Sequence, residues 1–240
     1  MINAAFIGNK KYKKRFQCNY CYIYLRPLMT KESESAEKFR EMIPQLISVF
    51  MTYGIKSMTM DDIARQLRIS KKTLYQYVSD KRELVMRCME HDCVQNEHGV
   101  REIVSRGLNA VEENFEISKH VLKQLREIHP SIFYDLEKYY PEAWAMLHES
   151  KDSLTAEVIR ANLNKGIKEG FFRDDIDIEI HTRLWITRMN VIFDPQLFPI
   201  QEFSIPEVYE QMFIHQIRGI ANQKGIEYFE QFYKKQAKSN

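Results

Sequence analysis

The stretch MTMDDIARQLRISKKTLYQYV, residues 58–78, decides how the rest of the chain is read. Thr59 stands three residues before Asp62, the spacing at which an N-cap hydroxyl and a carboxylate satisfy each other's backbone N–H groups. A short helix is therefore predicted from Thr59 to about Leu67, with Ile63, Ala64 and Leu67 on its inner face. Arg68-Ile69-Ser70 follows, and Ser70 is a second N-cap, opening a helix from Lys71 to about Val78 that buries Leu74 and Val78. Two short helices joined by a tight turn make a helix-turn-helix.

Upstream, Phe39, Ile43, Leu46, Phe50 and Tyr53 step by four, three, four and three, which is one face of a helix that Gly54 ends as a left-handed C-cap. Pro44 is tolerable only in a first turn, so the regular helix is expected to start near Met42. Downstream, Asp80 caps a long helix through Leu84, Cys88 and His91. Further helical segments are expected near 100–127, 131–138, 142–169, 177–193 and 206–235, interrupted chiefly at Gly170, Asp174 to Asp177, and Asp194-Pro195 to Pro206. No strand alternation competes and no repeat is visible. The expected fold is all-α: a three-helix domain with a helix-turn-helix over 29–79, a larger helical domain over 80–240, and a basic N-terminal extension over 1–28.

The composition, 44% hydrophobic and 28% charged with 8 Gly and 7 Pro, and the lack of any apolar run near a membrane-spanning length indicate a cytoplasmic, helix-rich protein. A formal net charge of +2 announces no nucleic-acid partner, but the charge is unevenly placed. Lys10, Lys11, Lys13, Lys14, Arg15 and Arg26 precede residue 29 with no acidic residue among them, so the remainder is mildly acidic. Within that remainder, residues 56–83 set Lys56, Arg65, Arg68, Lys71, Lys72, Lys81 and Arg82 against Asp61, Asp62, Asp80 and Glu83. Two readings of residues 1–28 stand side by side: an extension upstream of a native start at Met29, or a basic arm touching DNA phosphates or the minor groove.

Of the four cysteines, Cys18 and Cys21 have the spacing of half a zinc site, while Cys88 and Cys93 are five apart on a helix and point to different faces. Cys88 and His91 share one face, but ordinary reduced thiols are the expectation, with no metal and no cofactor.

On the third helix the exposed set is Lys71, Lys72, Thr73, Tyr75, Gln76 and Tyr77. Lysine pairs with phosphate or guanine, glutamine pairs bidentately with adenine, a threonine methyl meets a thymine methyl, and tyrosine hydroxyls reach backbone oxygens. The same face also suits a solvated helix or a surface that binds another protein.

Beyond these features, Phe50-x-x-x-Gly54, Met58 to Ala64, Ile69 to Val78 and Asp80-Lys81-Arg82-Glu83-Leu84 together resemble the N-terminal domain of TetR-family regulators, over about 45 residues. The resemblance implies that the third helix is the recognition helix, that Thr59 and Lys81 contact phosphates, and that Tyr75 and Tyr77 anchor the DNA backbone. With Ser70, Lys71, Lys72, Thr73 and Gln76 these complete the candidate DNA-binding set. Two positions depart from the family pattern. Arg68 stands in the turn where glycine is frequent, at a cost of about 1 kcal/mol if φ is positive. Lys72 stands where glycine often begins the recognition helix, which adds a cation at the interface.

Leu163-x-x-Gly166 to Ile176 and Phe213 to Ile220 also resemble the family's ligand domain. The resemblance implies a homodimer joined by a four-helix interface, mapping to about 177–193 and 206–225, with Leu184, Ile192, Val208, Met212 and Ile220 buried on it. For the effector, a small apolar or aromatic molecule is expected from the supply of large side chains, with Phe115, Phe133, Trp144, Trp185 and Met189 as candidate ligands of it. His120, His129, His148 and His181 either orient a polar end of that molecule or simply lie exposed, and exposure is the expectation for each. The functional expectation is a repressor released from a palindromic double-stranded operator by that molecule; the alternative is a helical adaptor whose helix-turn-helix binds another protein. No Gly-rich phosphate loop, HExxH or nucleophile elbow is present, and no catalytic residue is expected.

Overall fold

The computed structural model describes residues 34–129, 131–199 and 201–237; both readings of residues 1–28, and Cys18 and Cys21, lie outside the described residues. Ten helices run through the described part: α1 (Glu34–Tyr53), α2 (Met60–Gln66), α3 (Lys71–Tyr77), α4 (Lys81–Ser105), α5 (Ala110–Glu127), α6 (Ile132–Tyr139), α7 (Pro141–Lys168), α8 (Ile178–Val191), α9 (Ile205–Ile220) and α10 (Gln223–Ala237). The all-helical fold class holds.

In α1, Phe39, Ile43, Leu46 and Phe50 are buried as their spacing requires. Gly54 closes the helix at φ +80° with its N–H on the Phe50 carbonyl at 2.8 Å. A side chain at Gly54 would also put a Cβ 2.8 Å from Ser131 Oγ, so the residue is fixed by space as well as by φ. Two expectations for α1 fail. Tyr53 is 48% exposed, since Gly54 turns the chain away before that position reaches the core. The helix begins at Glu34 and runs through Pro44, whose ring lies on the exposed face.

The expected segment near 100–127 is two helices, because Arg106 to Asn109 break it: Gly107 takes φ +68° and Asn109 Oδ1 accepts from the backbone N–H groups of Val111 and Glu112. The expected single helix over 206–235 is likewise divided, at Ala221-Asn222. Residues 171–173 run extended beside the break: Arg173 N–H donates to the Ile220 carbonyl at 2.9 Å and Asn222 N–H to the Phe171 carbonyl at 3.0 Å. Gly225 comes so close to the Phe171 carbonyl that a Cβ would sit 2.1 Å from it.

Two hydrophobic cores result. The first joins α1, α2 and α3 to the start of α4, to Ile132 and Leu136 of α6 and to Ala143 and Leu147 of α7. The second lies among α5, α7, α8, α9 and α10 around Leu163, Trp185, Phe213 and Ile217. A buried polar network ties α5 to α7: the Asn162 amide donates to Glu113 Oε1 at 2.8 Å and Lys165 Nζ to Glu113 Oε2 at 2.7 Å. Glu113 thus has both oxygens partnered, which a buried carboxylate needs.

α8 packs chiefly on α7, and α9 on α5, so both helices keep an outward face. Of the positions assigned to the interface, Ile192 and Ile220 are buried within the protomer, Val208 and Met212 are half-buried, and Leu184 is 49% exposed. No helix of the described residues is long and apolar enough to cross a membrane.

Candidate nucleic-acid interface and inner cavity

The helix-turn-helix forms from its caps. Thr59 N–H donates to Asp62 Oδ2 at 3.1 Å and Asp62 N–H to Thr59 Oγ1 at 3.2 Å, the reciprocal pair that the sequence spacing requires. Donation from the Thr59 hydroxyl and N–H, aided by the Arg65 guanidinium, holds the Asp62 carboxyl below its ordinary range. The turn passes through Arg68 at φ +57°, the strained geometry its glycine-like position demands. Ser70 Oγ accepts from Thr73 N–H at 3.0 Å and opens α3, while Leu74 and Val78 are buried beneath it. Asp80 Oδ1 accepts from Glu83 N–H at 2.8 Å and starts α4.

The candidate DNA-binding residues fall into two groups. Thr59, Ser70, Lys71, Lys72, Tyr75 and Gln76 are exposed on one side of α2 and α3, and Lys71 is held by Asp61 at 3.0 Å. Three others are more enclosed. Thr73 shares a hydrogen bond with Ser70 Oγ at 2.7 Å. Tyr77 is half-buried and stacks on Phe39 with ring centroids 5.4 Å apart. Lys81 Nζ donates to the Ile55 carbonyl at 2.6 Å, and burial lowers its amine below the usual lysine value.

Ile55 lies in the turn between α1 and α2, and this turn is held from the body. Lys56 N–H donates to Asp135 Oδ2 at 2.8 Å, and Lys56 Nζ to the Tyr139 hydroxyl at 2.7 Å, both from α6. Arg82 on α4 pairs with Glu142 on α7 at 2.8 Å.

Behind α6, two adjoining cavities of about 100 and 80 Å³ lie among α4, α5, α7 and α8. Phe133, Trp144 and Met189 line the first, and Trp185 and Met189 the second. Phe115 lines neither: it packs edge-on to Phe232 and Tyr233 at 5.3 and 5.9 Å, toward α10. The histidines are half-buried, contrary to expectation. His148 lines the first cavity against Trp144, rings 4.0 Å apart, His120 shares a hydrogen bond with Asn96 at 3.3 Å, and His129 with Ser131 at 3.0 Å. His181 is hydrogen-bonded to Gln216. Asn96, Asp152 and Asn190 also reach the first cavity, and none of them stood out in the sequence. The one signal was for Asp152, the helical step from Trp144 to His148 to Asp152. Cys88 is buried and its thiol is pushed up to about 12, so it is an inert core group.

Residues 47–88, from the second half of α1 to the second turn of α4, match the family model described as bacterial regulatory proteins, tetR family. This segment of the chain is similar to the N-terminal domain of that family. The chain is 28% identical over 169 residues to the uncharacterized HTH-type transcriptional regulator YvaF of Bacillus subtilis (strain 168), a match covering 65% of the chain and 82% of the relative. Its fold is similar to that of the transcriptional regulator FadR from Bacillus subtilis, solved in complex with stearoyl-CoA, with a TM-score of 0.57 and 16% identity over 76% of this chain and 99% of that one. It is also similar to AibR, solved in complex with isovaleryl coenzyme A and operator DNA, with a TM-score of 0.50 and 16% identity over 73% and 95% of the two chains. The matched residues are those of the helix-turn-helix and of the helices on either side of it.

Proposed function

We propose that the chain is an effector-responsive repressor. Residues 29–79 bind a palindromic operator, and residues 80–240 dimerise and hold a small molecule whose binding releases the DNA. The observation that carries this reading is the position of α6. One of its residues, Phe133, forms the wall of the inner cavity, and two residues on, Asp135 holds the turn that precedes α2. A ligand that displaces Phe133 therefore bears on the helix-turn-helix through a single short helix. Coupling requires different affinities for the two arrangements, and about 1–3 kcal/mol is the usual scale.

On the DNA side, Lys72, Tyr75 and Gln76 are presented to base edges and phosphates, with Thr59, Ser70 and Lys71 flanking them. Lys81 and Tyr77 act from more enclosed positions. The second subunit is placed on α8 and α9. Ile180, Leu184 and Val191 are 58%, 49% and 38% exposed and recur along one side of α8, beside a groove of about 770 Å³ lined by Phe203, Val208, Met212 and Gly219. Apolar groups at that spacing suit a self-complementary two-fold contact.

The test is stoichiometry on DNA. The stretch upstream of the protein's own gene, carrying an inverted repeat with half-sites about one helical turn apart, is expected to bind two chains together, as read by sedimentation. Binding of one chain per repeat, or equal binding to a single half-site, would overturn the dimeric operator reading.

A further inference from the structure

We propose that the body of the protein carries a DNA contact of its own: Lys138 and Tyr134 of α6, with Lys56 in the turn before α2, hold a backbone phosphate beside those met by the helix-turn-helix. This rests on the reading of the chain as a DNA-binding regulator and extends its footprint to the domain that holds the effector.

The side chains concerned form one exposed cluster around Tyr139. Lys56 Nζ donates to the Tyr139 hydroxyl at 2.7 Å, and Lys138 Nζ to the Tyr134 hydroxyl at 2.6 Å. The Tyr134 and Tyr139 rings meet edge to face with centroids 6.4 Å apart. Both ammonium groups lie against the Tyr139 ring, Lys56 at 4.6 Å and Lys138 at 5.7 Å from its centroid. Tyr134 is 52% exposed, so its ring stands at the surface and belongs to neither core.

What the cluster offers to solvent is donors and positive charge. An ammonium has three N–H donors and no acceptor, and a phenol oxygen that accepts from one keeps its own O–H to give. Among the described residues, the ammonium groups of Lys56 and Lys138 meet tyrosines and form no ion pair with a carboxylate. Asp135 is buried, and its Oδ2 is already taken by the Lys56 N–H and the Ser131 hydroxyl. Glu137, the exposed acid of α6, projects about 100° around the helix from Lys138. A group with several acceptor oxygens, a negative charge and no donor completes such a cluster, and a phosphodiester is one.

Its place in the fold selects DNA as the source of that phosphate. Lys56 lies three residues before Thr59, the exposed N-cap of α2, so their Cα atoms are at most about 11 Å apart. Lys81, at the start of α4, donates to the carbonyl of Ile55, the residue before Lys56. Thr59 and Lys81 both belong to the candidate DNA-binding set, so the cluster continues that set onto the body. A DNA strand carries a charge about every 3.4 Å along the axis, and an ammonium this near Thr59 reaches the next phosphates of the same strand. The bond from Lys56 N–H to Asp135 fixes α6 in register with α2, which keeps the two parts of the contact together.

The experiment follows binding of the full chain to a mixed-sequence duplex longer than two half-sites across a salt series, by fluorescence anisotropy. Lys138→Ala and Lys56→Ala are each expected to lower the slope of log affinity against log salt by about one, as Lys72→Ala does, and Lys138→Arg to keep it. Tyr134→Phe leaves both charges in place and is expected to weaken binding about three- to tenfold at fixed salt with the slope unchanged. Lys168→Ala removes the same charge at the far end of α7, roughly 40 Å along that helix, and is expected to leave the slope alone. A slope untouched by Lys138→Ala, or lowered as much by Lys168→Ala, would overturn the proposal. Should Lys138→Ala fail to fold, Lys138→Gln, which drops the charge and keeps a long polar side chain, decides in its place. If Lys72→Ala lowers the slope and Lys138→Ala does not, the body contact is wrong and the DNA reading stands; if wild-type affinity does not fall with salt, both readings fail.

Discussion

Lys56 donates its backbone N–H to Asp135 Oδ2 at 2.8 Å, across 79 positions of sequence, and Asp135 is only 4% exposed. The same oxygen receives the Ser131 hydroxyl at 3.3 Å. Removing the carboxylate leaves a shielded N–H without its acceptor, a loss of about 1–3 kcal/mol. Asp135→Ala is therefore expected to lower the urea midpoint by that order. It is also expected to uncouple the domains, so that effector no longer weakens DNA binding. Asp135→Asn, which keeps one carbonyl oxygen, should lie between. Unchanged stability with an intact effector response in Asp135→Ala would show that the contact carries neither load.

Arg68 at φ +57° is the one non-glycine residue with positive φ among the described residues. Glycine visits that region without the Cβ clash, so Arg68→Gly is expected to stabilise the protein by about 1 kcal/mol, less what the added freedom of the unfolded chain takes back. Equilibrium urea unfolding measures it; destabilisation would mean that the arginine side chain makes up for its own strain.

The caps on either side of that turn were legible in the sequence, because each is local. Thr59 with Asp62, Ser70 with Thr73 and Asp80 with Glu83 need only a spacing of three. The Phe39–Ile43–Leu46–Phe50 stripe was legible for the same reason. What could not be read is what distant segments bring together. Asp135 looks like any residue of a short amphipathic helix until α6 meets the turn at Lys56. His148 and Asp152 look like a solvated face until α8 covers them. The break at Ala221-Asn222 has a local signal of the same kind, Asn222 Oδ1 accepting from Gly225 N–H three residues on at 3.0 Å, but the extended residues 171–173 lying beside it could not be read. Phe115 was chosen because it is large and aromatic, and size alone does not say which cavity a ring faces.

Because Asp62 is held below its ordinary pKa, its cap stabilises the fold above the unfolded carboxylate value, near pH 4, and that contribution is lost as pH falls through the folded value. Thr59→Ala removes the hydroxyl that is the largest single cause of the shift. The stability gap between wild type and Thr59→Ala is thus expected to be full at neutral pH and to shrink on acidification below about pH 4. A gap that widens in acid would contradict the assignment.

Leu184 is exposed within the protomer, so a charge there should leave each subunit folded. Leu184→Asp is expected to give a monomer by sedimentation with a nearly unchanged urea midpoint and a large loss of operator affinity. A dimer that survives the change would move the interface away from α8.

DNA reading by α3 is the claim on which the others depend, and salt tests it most directly. Each lysine that neutralises a phosphate adds about one to the slope of log affinity against log salt. Fluorescence anisotropy of a duplex across a salt series should show affinity falling steeply for the wild type. For Lys72→Ala the slope is expected to fall by about one; a salt-independent affinity, or a slope untouched by Lys72→Ala, would contradict the account.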